Sequence, residues 1–352
     1  MRIREATAGY EAWLSKHLKL IAKDLRLKHT EMRSAPFPFL RATYYRWAQT
    51  WAELCGDAAQ APRVLAVGDL HVENFGTWRD IEGRLIWGIN DFDETWRLPY
   101  TNDLIRLATS ALLAQMTVGG KEGTQAILEG YAAGIEAGGR PIVLAEHHPV
   151  LRQMATARLH EPEKYWEKLH SWPPCKCPAG ANKAIERMMP EKGLSWRISH
   201  RVAGLGSLGR ERYVAIAEWR GGSVAREAKV LAPSACVWAE RGEGTAPILY
   251  QRILDRSVRC LDPFVRVRKR WIVRRLAPDC SRIELSALPK ESDEIRLLHA
   301  MGFETANIHL GTAKPRVLRD DLKRRPDGWL AYAAQRMKKA VLADFREYAK
   351  GK

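Results

Sequence analysis

The chain has 352 residues, of which 46% are hydrophobic, and its 57 Lys and Arg outnumber 41 Asp and Glu to give a formal net charge of +16. That length allows two or three domains or lobes with a large core, and the charge favours anionic partners such as nucleotides, phosphorylated substrates, nucleic acid or anionic membrane, although a solvated basic surface accounts for it equally well. The sequence has no signal-peptide pattern and no run of ~18 apolar residues, so we expect a cytoplasmic protein without a membrane span.

The first 140 residues predict helices around two short strands. Apolar residues recur at helical spacing over 10–29 and 41–56, and Gly56 has the position of a C-cap. Two apolar runs, 62–69 and 83–91, predict buried strands, with a turn at 77–83 between them. Helical spacing returns at 101–116 and 123–139, with caps at Thr101 or Asn102 and at Gly138.

The second half is first irregular, then rich in strands, then helical. Residues 171–197 are rich in Pro, Gly and Lys and predict a linker or surface insertion, which contains the only closely spaced cysteines, Cys175 and Cys177. No second pair has zinc-site spacing, so we expect reduced thiols rather than a metal site. Strands are predicted at 199–204, 210–219, 223–232 and 269–277, and helices at 291–313 and 327–350.

A glycine-rich segment lies between two of these strands. Gly204, Gly206 and Gly209 form a G-x-G-x-x-G pattern that also contains Ser207. A dinucleotide-binding fold needs a helix after the third glycine, whereas here a strand-like run follows. Strand, glycine loop and strand resemble the hairpin that covers nucleotide phosphates in protein kinases. We therefore predict that these four residues bind a nucleotide.

Lys229 lies on the next predicted strand, 20 residues after Gly209. Its context, VAREAKV, resembles the V-A-I-K lysine of protein kinases, which pairs with the α- and β-phosphates. Lys229 is therefore a candidate phosphate ligand. Glu240 and Glu243 are the candidates for its carboxylate partner.

The stretch GDLHVEN places Asp69 and Asn74 five residues apart. In a kinase catalytic loop, an aspartate orients or deprotonates the acceptor hydroxyl, and an asparagine five residues later binds magnesium. The stretch resembles the His-Gly-Asp-(Leu/Ile)-His-x-x-Asn motif of aminoglycoside and choline kinases, with Val67 in place of the first histidine. The resemblance implies catalytic roles for Asp69, His71 and Asn74. For His71, which lies beside the base, packing and hydrogen bonding within the loop is the simpler role.

Further acidic residues follow the second predicted strand, in INDFDE. Asp91 has the position of the metal-binding aspartate of the kinase DFG motif, and Asp93 is a candidate to share that role. With Asn74 they make up the predicted Mg²⁺ ligands. Asp103 occupies the place where small-molecule kinases keep an aspartate that braces the catalytic loop, and a helix N-cap is an equal alternative.

These motifs run in an unusual order, because Asp69 and Asp91 precede Gly204 and Lys229. Circular permutation accounts for this order, since it requires only neighbouring termini and an exposed cut. The chain resembles a bacterial kinase-like family known as domain of unknown function family 2252, on the motifs MRSAPFPFLRA, GDLHVENFGTW, INDFDETWRLPYTNDLIRLATS and AGLGSLGRERY, over roughly residues 25–350. One departure is that Val230 and Leu231 replace the usual Glu-Ala after the lysine.

The resemblance implies an α+β, protein-kinase-like, two-lobed fold that is circularly permuted. We expect a helical lobe with the catalytic loop at 1–197, a small antiparallel β-rich nucleotide lobe at 198–290 and helices completing the helical lobe at 291–352. The expected activity is transfer of a phosphoryl group from ATP, with Mg²⁺, to a hydroxyl. Transfer of AMP on the same fold and non-catalytic binding of nucleotide or RNA are the alternatives.

The acceptor is not determined by these motifs. The segment 147–170 contains Arg152, Arg158 and Lys164, which would suit an anionic acceptor. A solvated helix face explains them as well and is the simpler interpretation.

Overall fold

The computed structural model describes residues 1–114, 116, 118, 120–156, 161–240, 246–280 and 291–351. The predicted α+β class is confirmed, because helices alternate with antiparallel sheets. The helices are α1 Ile3–His17, α2 Ala22–Ser34, α3 Pro36–Ala42, α4 Tyr44–Cys55, α5 Thr101–Leu113, α6 Lys121–Glu136, α7 Leu144–His147, α8 Pro149–Thr156, α9 Pro162–His170, α10 Ala179–Glu186, α11 Ala235–Ala239, α12 Tyr250–Arg256, α13 Glu291–Leu310, α14 Pro315–Arg324 and α15 Trp329–Lys350. The strands are β1 Arg63–Ala66, β2 Phe75–Arg79, β3 Leu85–Ile89, β4 Trp96–Pro99, β5 Ile142–Val143, β6 Arg197–His200, β7 Arg212–Trp219, β8 Gly222–Val230, β9 Arg266–Arg268 and β10 Trp271–Leu276.

The largest sheet is antiparallel and has five strands in the order β6-β7-β8-β10-β9. Its central hairpin, β7–β8, turns at Arg220 and Gly221, both with positive φ, as a two-residue turn with the right twist requires. The register places Lys229 opposite Arg212 on one side and Ile272 on the other. Because side chains alternate along a strand, Glu227 and Lys229 project from the same face of this sheet.

Helices cover both faces of the five-stranded sheet. On the face of the sheet from which Lys229 projects, apolar residues such as Val214 and Ile216 pack against Leu169 of α9. The opposite face packs against α10, whose Ala181, Ala184 and Ile185 are buried. The prediction of a linker or surface insertion over 171–197 was therefore wrong in part, because a covering helix lies within it. Five of the six predicted reduced cysteines remain partly exposed, and all six are free thiols.

The helical part of the protein centres on α6 and α13, which pack along their length. Glycines make this close approach possible. A Cβ on Gly130 would lie 1.8 Å from the carbonyl oxygen of His299, and one on Gly302 would lie 2.1 Å from that of Ile127. Any larger residue at these two positions would push the helices apart.

Two local predictions differ from the structure for tertiary reasons. The turn predicted at 77–83 begins with strand β2, because Thr77 and Trp78 pair with β3. The helix predicted over 10–29 is divided between α1 and α2, since the intervening Leu20 and Ile21 pair with the backbone of the glycine loop. Strands β4 and β9 and helix α14 were not predicted. Within the described ranges, no helix combines the length and apolarity needed to cross a membrane.

Candidate functional site

The loop that carries Asp69 follows strand β1 and is fixed by a buried carboxylate. Asp103, on the first turn of α5, accepts hydrogen bonds from the backbone N–H groups of Val67 at 2.7 Å and Gly68 at 3.0 Å. Its side chain therefore braces the loop and does not cap its own helix. Gly68 has φ +83°, and a Cβ there would lie 2.3 Å from the carbonyl oxygen of Glu94, so the loop requires glycine at this position.

Asp69 is paired with an arginine that the sequence reasoning missed. Arg106 Nε donates to Asp69 Oδ1 at 2.8 Å, and the same guanidinium donates to the carbonyl of Leu40 at 2.9 Å. Arg106 is fully buried and lies 4.9 Å from the ring centroids of both Tyr44 and Trp47. Burial raises the pKa of Asp69 to about 7, and Arg106 partly opposes that rise. The only sign of this pairing in the sequence was the position of Arg106 within the apolar run of α5.

The rest of the loop turns back toward Asp69. Asn74 Nδ2 donates to the backbone carbonyl of Asp69 at 2.9 Å, so its side-chain oxygen is the atom left for a metal ion. The Asn74 carbonyl accepts from Asn90 N at 2.9 Å, which joins the loop to the segment containing Asp91. His71 Nδ1 accepts from the backbone N–H of Glu73 at 3.2 Å. His71 thus packs and hydrogen-bonds within the loop.

Lys229 meets the two aspartates that follow β3. Its Nζ lies 2.6 Å from Asp93 Oδ1 and 3.4 Å from both carboxylate oxygens of Asp91. Lys229 is buried, whereas the side chain of Asp91 is 37% exposed. Burial alone would raise the pKa of Asp91, but Lys229 and Arg274 outweigh it and hold that pKa below its usual range. The pKa of Asp93 is raised by its burial and by the neighbouring charge of Asp91.

The acidic partners predicted for Lys229 were wrong where they can be assessed. Glu240 accepts instead from Trp96 Nε1 at 3.3 Å. Glu243 lies outside the described residues, as does Arg158 of the predicted basic segment. The carboxylates that pair with Lys229 come from the metal-ligand segment itself, which sequence spacing could not reveal.

The glycine loop lies directly over Asp69. A Cβ on Gly206 would lie 3.4 Å from Asp69 Oδ2 and 3.0 Å from the carbonyl oxygen of Arg41. Gly204 and Gly209 have φ values of +75° and +91°, which glycine adopts without strain. A side chain at position 206 would therefore press on the backbone of α3 at Arg41, while it would meet Asp69 at ordinary contact distance.

Side chains and neighbouring backbone hold the glycine loop in place. Ser207 Oγ accepts from Arg212 Nη2 at 2.7 Å and donates to the Gly204 carbonyl at 3.1 Å. From the other side, the N–H of Ile21 donates to the Gly209 carbonyl at 2.8 Å. The loop is thus attached both to its own sheet and to the link between α1 and α2.

One cavity of about 190 Å³ brings most of the predicted residues together. It is lined by Asp69, His71, Asn74, Asp91, Asp93, Gly204, Gly206 and Ser207. Lys229 lies behind the cavity wall and reaches it through Asp91 and Asp93, while Gly209 faces away toward Leu25. Residues more than a hundred positions apart in the chain therefore share a single site.

The sheet side of the cavity is strongly charged. Glu227, which is fully buried, accepts from Arg274 Nε at 2.8 Å, Arg201 Nη1 at 2.5 Å and Arg212 Nη1 at 3.4 Å. Burial opposes ionisation of Glu227, but the three guanidinium groups hold its pKa well below the usual range. All three arginines line the cavity, which gives this wall a net positive charge. Sequence reasoning did not identify any of these four residues.

The three predicted Mg²⁺ ligands, Asn74, Asp91 and Asp93, all line the cavity, but Asp93 is paired with Lys229. Within the part of the chain that the structure describes, no three His, Cys, Asp or Glu side chains form a ready metal centre. Asn74 and Asp91 nevertheless line the same cavity, and Asp91 is the more exposed of the two aspartates. Mg²⁺ is usually held by one or two carboxylates together with substrate phosphates and water. The residues present therefore suit a magnesium nucleotide better than a free metal ion.

Fold and cavity together define an α+β protein with a polar, arginine-rich site between its five-stranded sheet and its helices. Residues 20–154 match a family model described as an uncharacterized protein conserved in bacteria (DUF2252). The matched range is shorter than the predicted one, and it contains Asp69, Asn74, Asp91 and Asp103 but not the glycine loop or Lys229. Neither a curated protein nor a solved structure was found to match the chain.

Proposed function

We propose that this protein is a Mg²⁺- and ATP-dependent phosphotransferase with a circularly permuted, protein-kinase-like fold. The observation that carries the proposal is the contact of Lys229 with Asp91 and Asp93, at 3.4 and 2.6 Å, beside a glycine loop that covers Asp69. Lys229 lies on the third strand of the five-stranded sheet, and the glycine loop joins the first and second. Protein kinases likewise place the lysine on their third strand and cover the phosphates with a glycine-rich loop.

The packing of the helices supports permutation. Helix α13 follows the five-stranded sheet in the chain but packs along α6, which precedes that sheet. The helical part is therefore assembled from segments on both sides of the sheet. In this proposal residues 198–290 form the nucleotide lobe, and residues 1–197 and 291–352 form the helical lobe.

Each residue of the cavity has a role in this reaction. Asp69 orients or deprotonates the acceptor hydroxyl, with Arg106 and Asp103 fixing its position. Asn74 and Asp91 hold Mg²⁺, which neutralises phosphate charge when bound. Lys229, whose ammonium lies behind the cavity wall against Asp91 and Asp93, would have to turn toward the cavity to pair with the α- and β-phosphates, which the glycine loop covers. Because such transfers depend on positioning and electrostatics, each of these groups contributes without forming a covalent bond.

Calorimetric titration of ATP, with and without Mg²⁺, tests the proposal on the wild type and on Lys229→Met and Asp91→Asn. We expect Mg²⁺-dependent binding that is lost in both variants and kept in Lys23→Met, which removes an exposed lysine. An ATP affinity that is unchanged in both Lys229→Met and Asp91→Asn would contradict the proposal. If binding is found, the position of a radioactive label decides the chemistry, since an α-phosphate label on the acceptor would indicate AMP transfer.

A further inference from the structure

Lys28, on helix α2, is a buried cation with few partners. The residue is only 3% exposed, and its Nζ donates to the Gly206 carbonyl at 3.2 Å. It also lies 5.9 Å from the ring centroid of Tyr45. A protonated lysine has three N–H donors, and this is its single hydrogen bond to the described residues. Burial lowers the pKa of Lys28 to about 8, which reflects incomplete compensation of its charge.

Lys28 belongs to the wall that faces Asp69. Both residues line the cavity, and Lys28 bonds to the carbonyl of Gly206, whose Cβ, if present, would lie 3.4 Å from Asp69 Oδ2. Arg41 lies on the same wall, where Nη1 is 2.6 Å from Glu73 Oε2 and the buried Nε has no hydrogen-bond partner among the described residues. Two cations with unused donors therefore lie beside the proposed catalytic aspartate. No nucleotide motif of the sequence includes either residue.

The position of this wall separates it from the phosphate-binding groups of the sheet. Arg212, Lys229 and Arg274 come from β7, β8 and β10, respectively, whereas Lys28 and Arg41 come from the helices that precede the Asp69 loop. On that side the cavity is lined by Tyr10, Lys28, Arg41, Ala42, Tyr44 and Tyr45, all from the first four helices and the turn between them. An acceptor approaching Asp69 from this side meets a wall of helices, which suits a small molecule.

We propose that Lys28 and Arg41 bind a phosphate or carboxylate group of a small acceptor, whose hydroxyl is thereby presented to Asp69. This inference rests on the proposed phosphotransferase function. An anionic group would supply the acceptors that the buried ammonium of Lys28 lacks, and charge-assisted hydrogen bonds are roughly twice as strong as neutral ones. Glu73 already neutralises part of Arg41, so Lys28 is the principal cation of the anion site.

Inorganic phosphate is the probe that tests this site directly. It is titrated calorimetrically into the full chain that has been saturated with Mg²⁺ and a non-hydrolysable ATP analogue. We expect phosphate to bind the wild type, at least tenfold more weakly to Lys28→Met, and nearly normally to Lys28→Arg. Lys23→Met, on the exposed side of the same helix, should behave as the wild type. Arg41→Met should have a smaller effect than Lys28→Met.

The affinity for the ATP analogue identifies which molecule the site serves. We expect Lys28→Met to leave the affinity for the ATP analogue unchanged, while Lys229→Met abolishes binding of the analogue. If Lys28→Met weakened the analogue as strongly as Lys229→Met, the site would belong to the nucleotide and the acceptor inference would be overturned. Equal phosphate affinity in the wild type and Lys28→Met would also overturn it, as would a failure of phosphate to bind the analogue complex.

A failure of the proposed function gives a different pattern. In that case the wild type would not bind the ATP analogue, and phosphate would be titrated into the free protein. Phosphate binding that depends on Lys28 would then show that the anion site exists but has no role in phosphotransfer. Far-UV circular dichroism shows whether each variant is folded. If Lys28→Met does not fold, the phosphate affinities of Lys28→Arg and Arg41→Met are compared with that of the wild type instead.

Discussion

Lys229 and Asp93 form a buried ion pair of 2.6 Å between strand β8 and the segment that follows β3. Lys229 is 2% exposed, and the side chain of Asp93 is 10% exposed. Asp91 shares the same ammonium at 3.4 Å and is the more accessible carboxylate. One aspartate therefore anchors the lysine, and the other remains available to a ligand at the cavity surface.

This arrangement predicts a non-additive effect on stability. Lys229→Met removes the nearer of the two cations beside Asp93 and leaves only Arg210, whose Nη1 lies 3.6 Å from Asp93 Oδ2. The loss should cost about 3 kcal/mol of unfolding free energy, at the lower end of the range for a broken buried pair. The double variant Lys229→Met/Asp93→Asn should cost clearly less, because the buried carboxylate of Asp93 is then uncharged and Asp91, which also loses Lys229, is partly exposed to water. Urea unfolding monitored by circular dichroism measures both values. A double variant less stable than Lys229→Met alone would show that the ion pair is not the relevant interaction.

Asp69 should control how turnover depends on pH. Its carboxyl must be ionised to accept a proton, and its pKa is raised to about 7. Because this pKa belongs to the protein without bound nucleotide, we expect kcat/KM to rise with pH through about 7 and then to reach a plateau. Asp69→Asn should lower kcat by about 10²–10⁴ and abolish this rise, while Mg-ATP affinity is kept. A rise of unchanged shape in Asp69→Asn would assign the titration to another group.

Arg106 should act as a positioning residue, and its effect should be visible in the titration of Asp69. Its guanidinium lowers the pKa of Asp69 against the effect of burial, so Arg106→Gln should raise that pKa further. The rise of kcat/KM should then shift to higher pH, and part of the lost activity should return in alkaline buffer. Arg97→Gln, at an exposed position on β4, should leave the profile unchanged. A uniform loss of activity at every pH would indicate only a structural role.

The residues that sequence reasoning identified are those with a local signature. Asp69 and Asn74 share one loop, and Lys229 follows the glycine loop on the next strand, so spacing alone was informative. Arg106, Glu227 and Lys28 have no such signature. Each acquires its significance from a partner far along the chain, and residue type alone predicts a surface position for all three.

The errors in secondary structure have a similar origin. The division of the helix predicted over 10–29 depends on pairing between Leu20 and Arg210, which no local pattern encodes. The strand β2 was hidden because its polar and aromatic residues resembled a turn. The order of helical and strand-rich segments could be predicted from hydrophobic periodicity, and the resemblance supplied the α+β class, whereas the identity of the cavity walls required the tertiary structure.

Lys28→Met should make the protein more stable. The pKa of Lys28 is about 8 in the folded protein and 10.5 in free lysine. The unfolded chain therefore binds more protons between these values, and the contribution of Lys28 to stability rises with pH across that window. At pH 7 its buried charge is a net cost, and methionine, which has a similar volume and no charge, removes it. We expect a gain of about 1–3 kcal/mol in unfolding free energy at pH 7.

The same substitution should also flatten the dependence of stability on pH between 8 and 10.5. Lys23→Met provides the control, since an exposed lysine should change stability by less than about 0.5 kcal/mol. Urea unfolding at several pH values measures both effects. A less stable Lys28→Met at pH 7 would mean that the bond from Lys28 to Gly206 mainly secures the glycine loop. A more stable variant with weakened phosphate binding is the pattern expected of a residue that is retained for function at the expense of stability.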